Sequence, residues 1–96
     1  MSGPIQSSCG SLTCTGSWAT IFTITGVQIG ILTYSASLGW IAVYLIISDS
    51  ANGVYSATAI GGFSTQMLVQ NSTGAIQVRL NAGSGVICNW SFLRLQ

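Results

Sequence analysis

The side chains in this sequence that could carry acid–base, nucleophilic or metal chemistry are few: Asp49, Arg79, Arg94, the thiols Cys9, Cys14 and Cys88, and three tyrosines. General acid–base catalysis draws mostly on His, Asp/Glu and Lys, and a nucleophile needs a base beside it. With one acid, two arginines and no histidine, neither pair of groups can be assembled, so the sequence points away from an enzyme and toward no cofactor. Phosphate neutralisation needs several Lys/Arg, and a formal charge of +1 supplies no basic patch, so no nucleic-acid partner is expected. Three cysteines without histidine are no zinc ligand set either.

The thiols are read with the chain start. "MSGPIQSSCG" has no basic stretch followed by an apolar one, so no secretory signal is visible and synthesis in a cytoplasm is expected. Thiols stay reduced there, and an odd number leaves one unpaired in any case. A Cys9–Cys14 bridge is the functional alternative; small buried hydrophobes are the expected role. "NST" at Asn71 and "NWS" at Asn89 match glycosylation sequons but, without export, read as a turn and a strand.

Charged residues make up 3% of the chain and hydrophobic ones 49%, where an ordinary soluble domain has roughly a quarter of its residues charged. A surface this neutral lacks the repulsion that keeps free monomers apart, so much of it is expected to be covered by other protein. Mean hydropathy is +0.64. The apolar stretch from Trp18 to Ser48 is nevertheless broken by Gln28, Gly26, Gly30, Gly39 and repeated Thr/Ser, which leaves no spanning helix and no membrane assignment.

Period-two alternation with β-branched and aromatic enrichment recurs from Trp18 to the end, the pattern of an all-β domain. Strands are expected over "SLTCT", Trp18–Ile24, Val27–Tyr34, Gly39–Ser48, Val54–Ile60, Phe63–Gln70, "AIQVRL" and from Val86 to the end. About eight short strands in one domain predict an antiparallel β-sandwich of jelly-roll type, with an immunoglobulin-like sandwich or a small barrel as competitors. Residues 12–96 are assigned to the sandwich, and 1–11, rich in Ser and Gly, to a flexible N-terminal arm ordered only by contact with something else. Asn52-Gly53 marks a hairpin whose turn Asp49 closes by side-chain hydrogen bonding.

Two strands are apolar on both faces. "GWIAVYLIIS" carries Trp40, Ala42, Tyr44 and Ile46 on one side and Ile41, Val43, Leu45 and Ile47 on the other. A strand of this kind needs its own core on one face and more protein on the other. "VICNWSFLRLQ" puts Val86, Cys88, Trp90, Phe92 and Arg94 opposite Ile87, Asn89, Ser91, Leu93 and Leu95. Arg94 at the margin of buried surface needs an acceptor. The terminal carboxylate of a neighbouring subunit around a three-fold axis is one choice, and snorkelling to water along Trp90 is the other. Trp40, Tyr44, Trp90, Phe92, Leu93 and Arg94 are the expected subunit interface.

Residues Thr73 to Gln96 resemble the C-terminal strand pair of small trimeric jelly-roll domains of tailed bacteriophages, related in shape to the TNF/C1q-like fold. The shared element is a closing W-S-x-L-R-x strand, matched by Trp90, Ser91, Leu93 and Arg94. The resemblance implies a homotrimeric virion protein made in the host cytoplasm. Without a long N-terminal shaft, a decoration or cement protein on the capsid surface is expected, its arm docking Pro4 and Ile5 onto the major capsid protein or another virion protein. The alternative is a tail-fibre tip or receptor-binding module that stacks host glycans on aromatics such as Trp18, Trp40 or Tyr55.

Overall fold

A computed structural model describes residues 7–37, 39–81 and 85–95. Eight strands follow in chain order: β1 Ser7–Cys14, β2 Ala19–Thr23, β3 Val27–Ala36, β4 Ile41–Asp49, β5 Val54–Gly62, β6 Met67–Ser72, β7 Ala75–Leu80 and β8 Val86–Arg94. Among the described residues there is no helix long and apolar enough to cross a membrane.

The strands form two antiparallel sheets packed as a sandwich, one of five strands in the order β1-β8-β3-β4-β5 and one of three in the order β2-β7-β6. This confirms the all-β sandwich but departs from the four-and-four division of a jelly roll. The outer wraps, β1 on β8 and β2 on β7, nest one inside the other. The middle of the chain instead runs as a meander, because the β3–β4 and β4–β5 connections are short enough to close as local hairpins and keep three consecutive strands in one sheet.

Turn chemistry accounts for those hairpins. Between β6 and β7, Thr73 and Gly74 both have positive φ, 49° and 99°, which matches the twist of the flanking strands. The backbone N–H of Ile24 donates to Gly74 O at 2.8 Å, so this turn also anchors the end of β2. Between β4 and β5, Asp49 Oδ1 accepts from the N–H groups of Ala51 and Asn52, and Oδ2 accepts from Asn52 Nδ2 at 2.8 Å. The turn role read for Asp49 is therefore the one it has. These bonds, led by that from the Asn52 side chain, hold its carboxyl below the usual carboxylate value.

Two strand starts differ from the sequence reading by four residues, the others by two or fewer. β6 begins at Met67 rather than Phe63, because Gly62 at φ 82° turns the chain and the N–H of Met67 closes onto Phe63 O at 2.9 Å. β1 begins at Ser7 and pairs with β8 without interruption, from Ser7 opposite Leu93 to Cys14 opposite Val86. Residues 7–11 thus belong to the sandwich and not to an arm; Pro4 and Ile5 lie outside the described residues.

Burial alternates along β3, β4, β7 and β8. Leu32, Tyr34, Ala36, Ala42, Tyr44 and Ile46 from the larger sheet meet Met67, Ile76, Val78 and Leu80 from the smaller. Each large aliphatic side chain buried this way contributes about 1.5–3 kcal/mol. The two tyrosines bridge the layers through their hydroxyls: Tyr44 donates to Met67 O at 2.7 Å, and Tyr34 to Leu68 O at 3.0 Å. Each is thus polar at its tip and still fits an apolar core.

Candidate functional site

On β8 the alternation resolves as the sequence implied. Cys88 and Phe92 are buried inward, with Trp90 half-buried beside them, whereas Ile87, Leu93 and Leu95 are exposed outward. Phe92 lies across Gly30 and Trp90 across Gly10, positions where a Cβ would meet the rings. Phe22 from β2 packs against both, with ring centroids 5.1 Å from Trp90 and 4.8 Å from Phe92. This aromatic cluster closes the sandwich along its β1/β2 side.

The expected subunit interface therefore divides. Tyr44 and Phe92 are each only 4% exposed within one chain, so they have no surface left for a neighbour, and both are withdrawn from the interface. Trp40 is half-buried against the core, its ring 6.1 Å from Phe63. Arg94 is half-buried and lines a notch of about 170 Å³ with Ser8, Phe22, Thr23, Gln28 and Phe92. Of the six residues, Leu93 alone stands on the outward face, 46% exposed.

That outward face is where an unpartnered surface occurs. Pairing residues lie on the same side of a sheet, so the register places Leu93, Ile31 and Leu45 in one row. In the next row Ile29 lies opposite Ile47, and Leu95 N–H donates to Ile29 O at 2.7 Å. Val43 and Ile41 extend the patch along β4, and Thr33, Ser35, Asn89 and Ser91 give it a polar margin. The sequence reading found the doubly apolar strand but missed Ile29 and Ile31. Their alternation in "VQIGILTY" was visible, but only the register shows that they align with Leu45 and Leu93.

The opposite outer face, on the three-stranded sheet, is dressed differently. Gln70 donates to Gln77 Oε1, and Gln77 donates to Thr20 Oγ1 at 3.0 Å. Arg79 sits 5.1 Å over the Trp18 ring and donates to Gly16 O. It does not pair with Asp49, whose oxygens are taken by its own turn.

The three thiols have two environments. Cys14 and Cys88 are buried on the inner faces of β1 and β8, as small hydrophobes are, while Cys9 is exposed. Burial, reinforced by a hydrogen bond with Cys88, pushes the Cys14 thiol up to about 12. Cys9 and Cys14 project from opposite faces of one strand, a geometry that cannot be bridged. A thiol-directed alkylating reagent is accordingly expected to modify Cys9 alone in the native protein and all three in denaturant. Equal labelling rates in the native state would contradict the packing of β1 on β8. Among the described residues no group of three His, Cys, Asp or Glu could hold a metal ion. Comparison with known proteins finds no matching family model, curated protein or solved structure.

Proposed function

We propose that this chain is a non-enzymatic structural protein of a bacteriophage particle, a homotrimeric decoration protein that stabilises the capsid by covering joints between its subunits. The observation that carries the homotrimer is the apolar outer face of the five-stranded sheet, and the three charged residues of the whole chain suit the rest of its surface to contact with shell protein. Contiguous apolar patches on soluble proteins mark surfaces made for other protein. The closing strand Trp90–Arg94, whose resemblance suggested a virion domain, forms the margin of this face through Leu93.

The glycan-binding alternative draws less support. It needs a free aromatic platform with convergent polar groups. Trp18 already carries Arg79 over its ring, and Trp40 leans on Phe63.

Quantitative mass spectrometry of purified virions tests the reading, and a copy number comparable with that of the major capsid protein is expected. A few copies per particle would instead assign the chain to a fibre tip, and its absence from virions would overturn the proposal. In the same assay a chain lacking residues 1–6 should keep its fold, since β1 begins at Ser7, and should lose occupancy if Pro4 and Ile5 dock the shell.

A further inference from the structure

We infer that the outer face of the five-stranded sheet, centred on Ile29, Ile31, Leu45, Ile47, Leu93 and Leu95, is occupied by a second copy of this chain. The inference deepens the homotrimer reading and rests on it: the subunit contact moves from the face of Tyr44 and Phe92 to the opposite face of the same strands.

Charge argues for self-contact. Asp49, at the end of the β3–β4 ladder opposite Val27, has its carboxylate tied to Asn52 and Ala51. Arg79 lies on the other sheet over Trp18, and Arg94 lines the notch on the inner side. The centre of the face therefore offers nothing for a charged partner to complement, while the same uncharged face of two further copies, grouped with it around a three-fold axis, meets it without penalty.

Area argues the same way. Leu93 and Leu95 are 46% and 45% exposed, Ile41 48% and Val27 51%, with the four central side chains half-buried between them. These side chains are the apolar surface that the face offers toward the roughly 800 Å² that each partner gives a standard-size interface. The other outer face is already furnished with the Gln70–Gln77–Thr20 ladder and the Arg79–Trp18 stack, so one side of the sandwich is left needing cover. Around a three-fold axis the contact is heterologous, one part of this face on each copy meeting another part on the next, and it closes at three copies instead of growing into a fibre.

The test is the mass and the footprint of the full chain in solution. Light scattering at micromolar concentration is expected to give three times the 10.0 kDa chain mass. Hydroxyl-radical labelling of Ile31, Leu45 and Leu93 should fall as concentration rises, and that of Trp18 should not. The double variant Ile31→Thr/Leu93→Thr places a β-branched residue, suited to a strand, at each position and should dissociate at concentrations at least tenfold higher than the unmodified chain does. Ile31→Asp should be monomeric or insoluble. A monomer mass for the unmodified chain, unchanged labelling of the face on association, or a double variant as tightly associated as the parent would each overturn the inference. A dimer with the same footprint would keep the face and overturn the trimer. These outcomes are independent of virion copy number: a chain absent from virions can still trimerise through this face, and one that decorates capsids as a monomer cannot.

Discussion

The fold is expected to persist in acid and to unfold in alkali, with a midpoint between about pH 11 and 13. Acid unfolding is driven mostly by carboxylates that are paired or hydrogen-bonded in the native state, and by buried neutral histidines. This chain has one side-chain carboxylate and no histidine. Asp49 is held below its usual value by its own turn, so its contribution is present above the unfolded carboxylate value and is lost as pH falls through the depressed one. It is a single exposed group at a hairpin tip, and protonating it leaves the core untouched.

Alkali acts on the core itself. Burial raises Tyr34, Tyr44 and Cys14 above their ordinary values, so the folded state keeps protons that the unfolded chain has already released. Their stabilising contribution is complete below the unfolded values, roughly 8.5 for Cys and 10 for Tyr, and declines as pH rises beyond them. Each group removes up to about 1.4 kcal/mol per pH unit, so three together exhaust a typical domain stability of about 5–15 kcal/mol within a few units. Far-ultraviolet circular dichroism with tyrosinate absorbance checks this, the absorbance of the two buried tyrosines appearing together with the loss of the fold. A native spectrum retained at the alkaline extreme with both tyrosines ionised would contradict the burial of the two hydroxyls against Leu68 O and Met67 O, and unfolding near pH 4 would contradict the confinement of Asp49 to its own turn.

The same tyrosines explain how far the sequence could be read. Alternation in β3, β4, β7 and β8 was enough to assign side chains to two faces, and the structure keeps that partition at every one of those strands. Which face of β4 turns inward was not legible. Tyr44 and Trp40 read as subunit-interface residues, yet the Tyr44 hydroxyl finds an acceptor twenty-three residues away at Met67, and only the assembled second sheet supplies it. Strand order was hidden for a related reason. Eight strands suit a jelly roll as well as a meander, and the choice fell to hairpin closure at Gly39 and Gly53, two of the glycines with positive φ. β1 was shortened because "SSCGS" has no apolar pattern of its own; its extended form comes from the ladder to β8.

Glycine gives the sharpest case of information that only packing reveals, and it yields the second large effect. Gly30 in β3 and Gly61 in β5 are both strand glycines, and both lie outside the positive-φ region. A Cβ on Gly61 meets nothing within 4 Å. A Cβ on Gly30 would lie 2.3 Å from Phe92 Cζ and 2.6 Å from Leu93 O. The phenyl ring could swing away only by leaving its stack on Phe22, and the carbonyl belongs to the β3–β8 ladder and has no freedom to yield. Overpacking of this kind costs about 1–3 kcal/mol for an alanine and more for a valine, which outweighs the gain of up to about 1 kcal/mol in strand propensity. Gly61→Ala, by contrast, is expected to be neutral or to stabilise by about 0.4–1 kcal/mol through a less flexible unfolded chain. Urea unfolding at one fixed protein concentration compares the two, because association makes apparent stability depend on concentration. Gly30→Val should be the least stable of the set and should also loosen the margin of the outer face, since β8 carries Leu93 there. If Gly30→Ala were as stable as Gly61→Ala, Phe92 would not lie across β3, and the aromatic closure of the sandwich would have to be redrawn.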